Sequence, residues 1–533
     1  MSFGTSFALT TRPTIMGSRA AIVAGHQLAA QAGMRMLNAG GNAIDAAIAI
    51  AAAAAVLKPD ACGLGSDLFL LVAKAGTNEV FALNASGPAP RLATRDAFPS
   101  GRIEHLGLRA ACVPGAVDGW YRALNRFGRL SLGDVVAPAI ELAMGAPVSA
   151  LFASTLAKNE DALRRFPETY RVYYPHGRAP RAGEILEQPD LARTLEAIAT
   201  QGPQSFYRGA FAQALDAYAK ASDALLRADD LAGYESEWRE PLRATYRGYE
   251  LIGQPPVSVG IAVLEAMQIL EHFPIHDLKD AGAERIHVQV EAMKIAMSDM
   301  RGHLGDPAFV SERAVPELLD RSRAASRVQE IDRRCARSYE PANLFAQAGT
   351  DTSYAAVVDV DGNAVSLLQS VYHVFGCGEV IPGTGTLLNN RMTGFSLDPS
   401  SPNALEPGKR TMHTLNPLLV RKDGRAAMCL GTPGGPSQTY TNMELLTRLI
   451  DDGLEPQPAV DAARWFVTPA GELNVEESVH SDVRAALAGL GHRVVSFPAH
   501  SASFGGAGVI RINAAGVREA AADPRRETYA LGC

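Results

Sequence analysis

Thr350-Asp351-Thr352-Ser353-Tyr354-Ala355-Ala356-Val357-Val358-Asp359, followed by Val360-Asp361-Gly362-Asn363-Ala364-Val365-Ser366, is the stretch on which the reading of this chain turns. Hydroxyl side chains crowd its start and small or β-branched residues fill its middle. Asp361-Gly362 then supplies residues that tolerate the backbone of a tight turn. The pattern predicts a hairpin, with one strand from Thr352 to Asp359 and a return strand from Ala364 to Gln369. A hairpin accounts for every residue except the density of hydroxyls at the start. Thr352 is therefore either the first residue of a strand or something more.

The whole-chain properties narrow the classes. At 533 residues the chain suffices for two or three domains or one large layered α/β body with a substantial core. A net charge of −7, with acids and bases interspersed, argues against a nucleic-acid or anionic-membrane partner. Cys62, Cys112, Cys335, Cys377, Cys429 and Cys533 lack the close spacing of a zinc site or disulfide framework and fit a reducing compartment. The start, Met1 to Ser6, shows no basic region followed by an apolar run, and Ala46–Leu57 is short of the roughly 20 residues that span a bilayer. The expectation is a cytoplasmic protein with no membrane partner.

Outward from the hairpin, the texture differs on its two sides. Upstream, His26–Asn38 and the Ala-rich run after Asn42 predict two helices, the second central because alanine lets neighbours approach closely. Pro59 to Asp67 reads as a tight turn, its glycine spacing being wrong for either nucleotide fingerprint. Leu68–Ala75 and Val80–Asn84 form a predicted hairpin, and Leu106 to about Ser338 is mainly helical in pattern. The Ser/Pro/Asn stretch from Ser338 to Asn343 is the expected mobile segment. Downstream, short apolar segments (Leu418–Arg421, Ala426–Leu430, Gly508–Ile512) between Gly-containing turns predict strands, with late helices at Leu445–Asp451 and Val483–Leu490. Sheets packed under helical layers follow.

Motifs with chemical content are few. Neither His-Glu-x-x-His nor paired-Cys spacing occurs, so no metal is expected, and a Gly-x-Ser-x-Gly elbow is absent. There remain the hydroxyls of Thr350 to Ser353 and the turn Gly431-Thr432-Pro433-Gly434-Gly435-Pro436-Ser437. Adjacent glycines there either aim two N–H groups at one oxyanion or make a plain strand-to-helix turn.

Together, Thr352 to Asn363, Gly431 to Gly435, Gly385-Thr386-Leu387-Leu388-Asn389-Asn390 and Ala522-Asp523-Pro524-Arg525-Arg526 resemble the γ-glutamyltranspeptidase family of N-terminal nucleophile hydrolases. Gly40-Gly41-Asn42-Ala43-Ile44-Asp45-Ala46 and Ala93-Thr94-Arg95-Asp96 extend the resemblance over nearly the whole chain, in order. It implies a four-layer αββα sandwich built by two associated subunits from one precursor, residues 1–351 (large) and 352–533 (small). The cut would fall between Asp351 and Thr352. The freed Thr352 would be nucleophile and, through its α-amine with a reference pKa of about 7.7–8.0, general base. Gly434 and Gly435 match the family's oxyanion pair. Ser370 stands where the family places a hydroxyl beside that amine, or is simply a strand hydroxyl bonded to backbone. No cofactor is implied.

The departures concern substrate recognition. Where glutathione-processing members carry an arginine for the glutamyl carboxylate, this chain has Ser86; their acidic contact to the α-amine falls on Gly394, their paired serines on His413-Thr414, and a substrate-binding asparagine on Tyr372. Each lost charge-assisted hydrogen bond removes on the order of 1.5–3 kcal/mol, so glutathione should be a poor substrate. Arg391, His413, Thr414 and Tyr372 are the replacement candidates, able to hold a carboxylate from another direction, with a structural salt bridge as the other account of Arg391. The short Phe395–Arg410 segment suggests an open cleft that favours hydrolysis. This pattern resembles the branch with oxamate amidohydrolase and cephalosporin-acylase-like proteins. The expected activity is hydrolysis of a small carboxylate-bearing amide through an acyl-enzyme. A γ-glutamyl hydrolase or transferase and an unprocessed, ligand-binding relative are the alternatives.

Overall fold

The computed structural model describes residues 10–337 and 351–533. The segments Met1–Ser6, Ser338–Asn343 and Thr350, on which expectations were placed, lie outside them. The quoted stretch folds as the antiparallel pair Asp351–Val358 and Ala364–Tyr372 at the middle of a seven-stranded sheet. Across that sheet the order is Tyr529–Gly532, Ala21–Ala24, Asp351–Val358, Ala364–Tyr372, Asp67–Ala73, Val80–Ala85 and Glu237–Arg239. A second seven-stranded antiparallel sheet runs Ile15–Gly17, Arg518–Ala522, Gly508–Ile512, Arg425–Gly431, Leu418–Lys422, Tyr249–Gly253, Leu242–Tyr246.

Side-chain alternation along the central strand shows how the layers stack. Tyr354, Ala356 and Val358 join the apolar core that contains the second sheet and helices Gly260–Leu270, Ala283–His303 and Ser437–Ile450. Ala355 and Val357 join a separate core with helices Gln27–Asn38, Ala43–Leu57, Ala116–Phe127 and Leu132–Ala143. The result is helix, sheet, sheet, helix, and a strand buried on both faces explains why Ala355–Val358 is a continuous apolar run.

Ala43–Leu57 is buried along its whole length. Its alanines bring it close to the first sheet and to Gln27–Asn38, where a side chain at Gly33 would meet Ile50 Cγ1 at 2.7 Å. Asn42 and Asp45 form a capping box at its start, and the Ala43 N–H donates to Asp359 Oδ2 at 2.9 Å, tying the helix to the far end of the Thr352 strand. The segment expected to be mainly helical, Leu106 to about Ser338, is so over its described residues, but it also carries strands that the expectation did not include. Glu237–Arg239 extends the first sheet, and Leu242–Tyr246 with Tyr249–Gly253 forms the edge of the second. No helix among the described residues is long and apolar enough to cross a membrane.

Candidate active site

Thr352 begins at a break in register. The Cα pairs are Asp351 with Tyr372 and Ser353 with Gln369, so Thr352 faces two residues, Ser370 and Val371, on the neighbouring strand. This bulge delivers Ser370 beside Thr352. Ser370 in turn pairs with Asp67 on the next strand, so Thr352, Ser370 and Asp67 share one end of three adjacent strands. Alternation puts Thr352 on the same side as Tyr354, between the sheets, and it is 4 % exposed. Ser370 Oγ accepts the Tyr372 N–H at 2.9 Å, a bond that helps to hold Tyr372 at φ +87°.

Tyr354 gears this strand to the glycine turn. Its ring lies against Gly431 and Gly508 of the second sheet, where any side chain would collide with it. Its hydroxyl pairs with Ser366 Oγ at 3.0 Å, and Ser366 Oγ reaches the Leu430 carbonyl at 3.3 Å. Gly431 ends its strand and Ser437 opens the helix to Ile450, leaving Thr432–Pro436 as the turn. Gly434 and Gly435 have φ of +128° and +57°, conformations that favour glycine. A Cβ on Gly434 would also strike Ser437 Oγ. Neither glycine N–H has a hydrogen-bond acceptor among the described residues, and both sit at the positive end of a helix. With its nitrogen turned toward them, the Gln438 amide donates to Thr432 O at 3.2 Å and Thr414 O at 2.8 Å, which brings Thr414 to this turn.

The third component is a buried charge cluster. Asn389 accepts the Cys112 and Arg391 N–H groups and donates to Gly65 O, while the Asn390 N–H donates to Val371 O at 3.1 Å. These bonds fix the 3-10 turn Arg391–Gly394 against the end of the Ser370 strand. Arg391 is fully buried, stacks on the Tyr372 ring at 4.0 Å, and donates from Nε to Asp67 Oδ2 at 3.0 Å. Its two Nη atoms have no partner among the described residues. His413 packs on Phe69 with its Nε2 3.9 Å from Asp67 Oδ2, and neither ring nitrogen is bonded among the described residues. Burial, then the Arg391 and Arg410 cations, hold His413 well below the usual histidine range. It is neutral, so Arg391 supplies the cluster's positive charge. Burial raises the Asp67 carboxyl, against the pull of Arg391 and the Gly87 N–H.

Sequence reasoning missed Asp67. It stood at the end of the Pro59–Asp67 turn, whose close approach is to Leu387 and Leu388, since a side chain at Gly65 would overlap the Leu387 carbonyl. The replacement site at Ser86 is buried and uncharged, with Oγ donating to Asn84 Oδ1 at 2.6 Å.

The family model for gamma-glutamyltranspeptidase matches residues 29–533. The chain belongs to the gamma-glutamyltranspeptidase family. It is a hydrolase of that family, within the amidohydrolase and acylase-like range of its relatives. Similar curated members include the glutathione hydrolase-like YwrD proenzyme of Bacillus subtilis, 38 % identical over 97 % of this chain and 99 % of that one. The oxamate amidohydrolase proenzyme of Klebsiella pneumoniae is 35 % identical, covering 96 % and 98 %. The crystal structure of cephalosporin acylase from Bacillus halodurans superposes with a TM-score of 0.92 at 35 % identity, over 100 % of this chain and 99 % of that one. The family therefore carries the sandwich, and within it this chain places a buried Asp67–Arg391 pair at the end of the strand next to that of Ser370.

Proposed function

We propose that the chain is a precursor that cuts itself between Asp351 and Thr352, and that the new Thr352 N-terminus hydrolyses a small amide bearing a carboxylate. The parts would be a large subunit of residues 1–351 and a small subunit of residues 352–533, held together by the shared first sheet as a heterodimer. In this reading Thr352 Oγ1 attacks the amide carbonyl and its α-amine takes the proton and returns it to the leaving amine. The Gly434 and Gly435 N–H groups hold the oxyanion. Water then releases the acid from the acyl-enzyme. Ser370 positions the amine.

The observation that carries the substrate class is the Arg391 fork: Nε is used by Asp67, while both Nη atoms are buried without a partner among the described residues. A substrate carboxylate satisfies them bidentately, and neutral His413 and Tyr372 add donors around it. The named activities of the amidohydrolase and acylase relatives agree with a small acyl-amide substrate. A second reading, γ-glutamyl hydrolysis or transfer, is favoured by the YwrD relative's name and disfavoured by Ser86, which offers no cation. A panel of oxamate, γ-glutamyl anilides and acyl-amide antibiotics separates the two. Oxamate-like amides are expected to turn over fastest, and faster γ-glutamyl turnover would overturn the assignment.

A further inference from the structure

Far along the chain from the active-site residues, His287, Glu291 and His492 bring three buried ligand atoms within 4.8 Å of one another. His287 and Glu291 are one turn apart on helix Ala283–His303, and His492 lies between helix Ser481–Gly489 and strand Arg493–Phe497. His287 Nε2 lies 2.8 Å from the Asp332 carbonyl, which only accepts, so Nε2 carries the proton and Nδ1 presents a lone pair. That lone pair faces His492 Nε2 at 2.7 Å.

We propose that this group is a binding site for a zinc-class divalent ion. Two imidazoles and one carboxylate are a donor set zinc takes, at roughly 2.0–2.2 Å per ligand. The carbonyl on the far nitrogen of His287 is the outer contact that fixes the ring and tautomer of a metal-bound histidine. Binding moves the His492 proton to Nδ1 and parts the two rings slightly. Glu291 also pairs with Lys294 and accepts the Arg337 N–H on Oε2 at 3.2 Å, so one carboxylate serves the ion and this strap together. Lys294 Nζ donates to the Arg337 carbonyl at 2.6 Å, and the Ala336 N–H donates to Leu490 O at 2.6 Å. The ion thus rivets residues 332–337, the last described before Asp351, to a helix from before Thr352 and a turn from after it. The histidines are 205 residues apart, which is why no spacing in the sequence signalled them.

Chelator-stripped full-length protein, titrated with zinc chloride and separately with cobalt chloride, tests this. The expected result is one zinc per chain, a melting temperature raised by several degrees, and a cobalt absorption band of four- or five-coordinate intensity. His492→Ala and Glu291→Gln should each weaken zinc binding at least tenfold, while His480→Ala, at an exposed helix cap, should not. Wild-type zinc affinity in both site variants, or no stoichiometric zinc, overturns the proposal. Should both variants be insoluble, the wild-type cobalt spectrum decides, and a weak octahedral spectrum contradicts the site.

Discussion

Arg391→Lys isolates the carboxylate fork from the buried pair that supports it. Lysine keeps a cation beside Asp67, so the carboxylate at 0 % exposure is not left uncompensated. It cannot, however, offer one donor to Asp67 and two parallel donors to a substrate. Loss of one charge-assisted hydrogen bond costs about 1.5–3 kcal/mol, or roughly 10- to 150-fold in kcat/KM. The informative assay compares oxamate with its neutral analogue oxamide, because a folding or positioning defect slows both equally. Wild type should prefer oxamate, and Arg391→Lys should erase most of that preference while changing oxamide turnover little. An unchanged oxamate-to-oxamide ratio would refute the assignment of Arg391 to the carboxylate.

Arg391→Met strands Asp67, and removal of one partner of a buried pair costs about 3–5 kcal/mol. Burial already raises the Asp67 carboxyl and Arg391 opposes that rise, so losing Arg391 favours the protonated acid and the destabilisation should be smaller at pH 5 than at pH 8. Urea melts at the two pH values check this, and Asp67→Asn in the same chain should recover most of the deficit. His413 stays neutral in the fold while the unfolded chain protonates below about 6.5, so its contribution is present above that pH and lost as pH falls. His413→Gln should flatten the pH 7 to 5 stability slope, by up to ~1.4 kcal/mol per pH unit. Gly434→Ala, at φ +128° against Ser437 Oγ, should shift the N–H pair and lower kcat by about 100- to 1,000-fold, read by steady-state kinetics. Tyr354→Phe removes only the bond to Ser366 and should cost about 1 kcal/mol, whereas Tyr354→Ala opens a cavity between the sheets worth about 3–5 kcal/mol.

How much of this was legible in the sequence depends on how local the signal is. The helices at Gln27–Asn38 and Ala43–Leu57 follow from periodicity and the Asn42 cap, and the Thr352 strand from its β-branched run before Asp361-Gly362. Leu242–Tyr246 was equally readable and was missed. Its residues alternate buried and exposed, and Arg247-Gly248, both at positive φ, make a two-residue hairpin turn. The four-residue strand Tyr529–Gly532 is different. It exists because it pairs with Ala21–Ala24, some 500 residues earlier, and carries little local pattern. The site divides in the same way. Glycine adjacency pointed to Gly434 and Gly435, but the Asp67–Arg391 pair spans 324 residues and is brought together by the Asn389 bonds that hold the Arg391 turn, which no spacing rule anticipates.

Intact mass and N-terminal sequencing of freshly purified wild type and Thr352→Ala test the central claim most directly. The account predicts wild-type fragments of residues 1–351 and 352–533 with a Thr352 N-terminus and amidase activity, and an intact, inactive 533-residue Thr352→Ala chain. An uncut wild-type chain that hydrolyses amides, or a Thr352→Ala chain that still splits at residue 351 or retains activity, would contradict it.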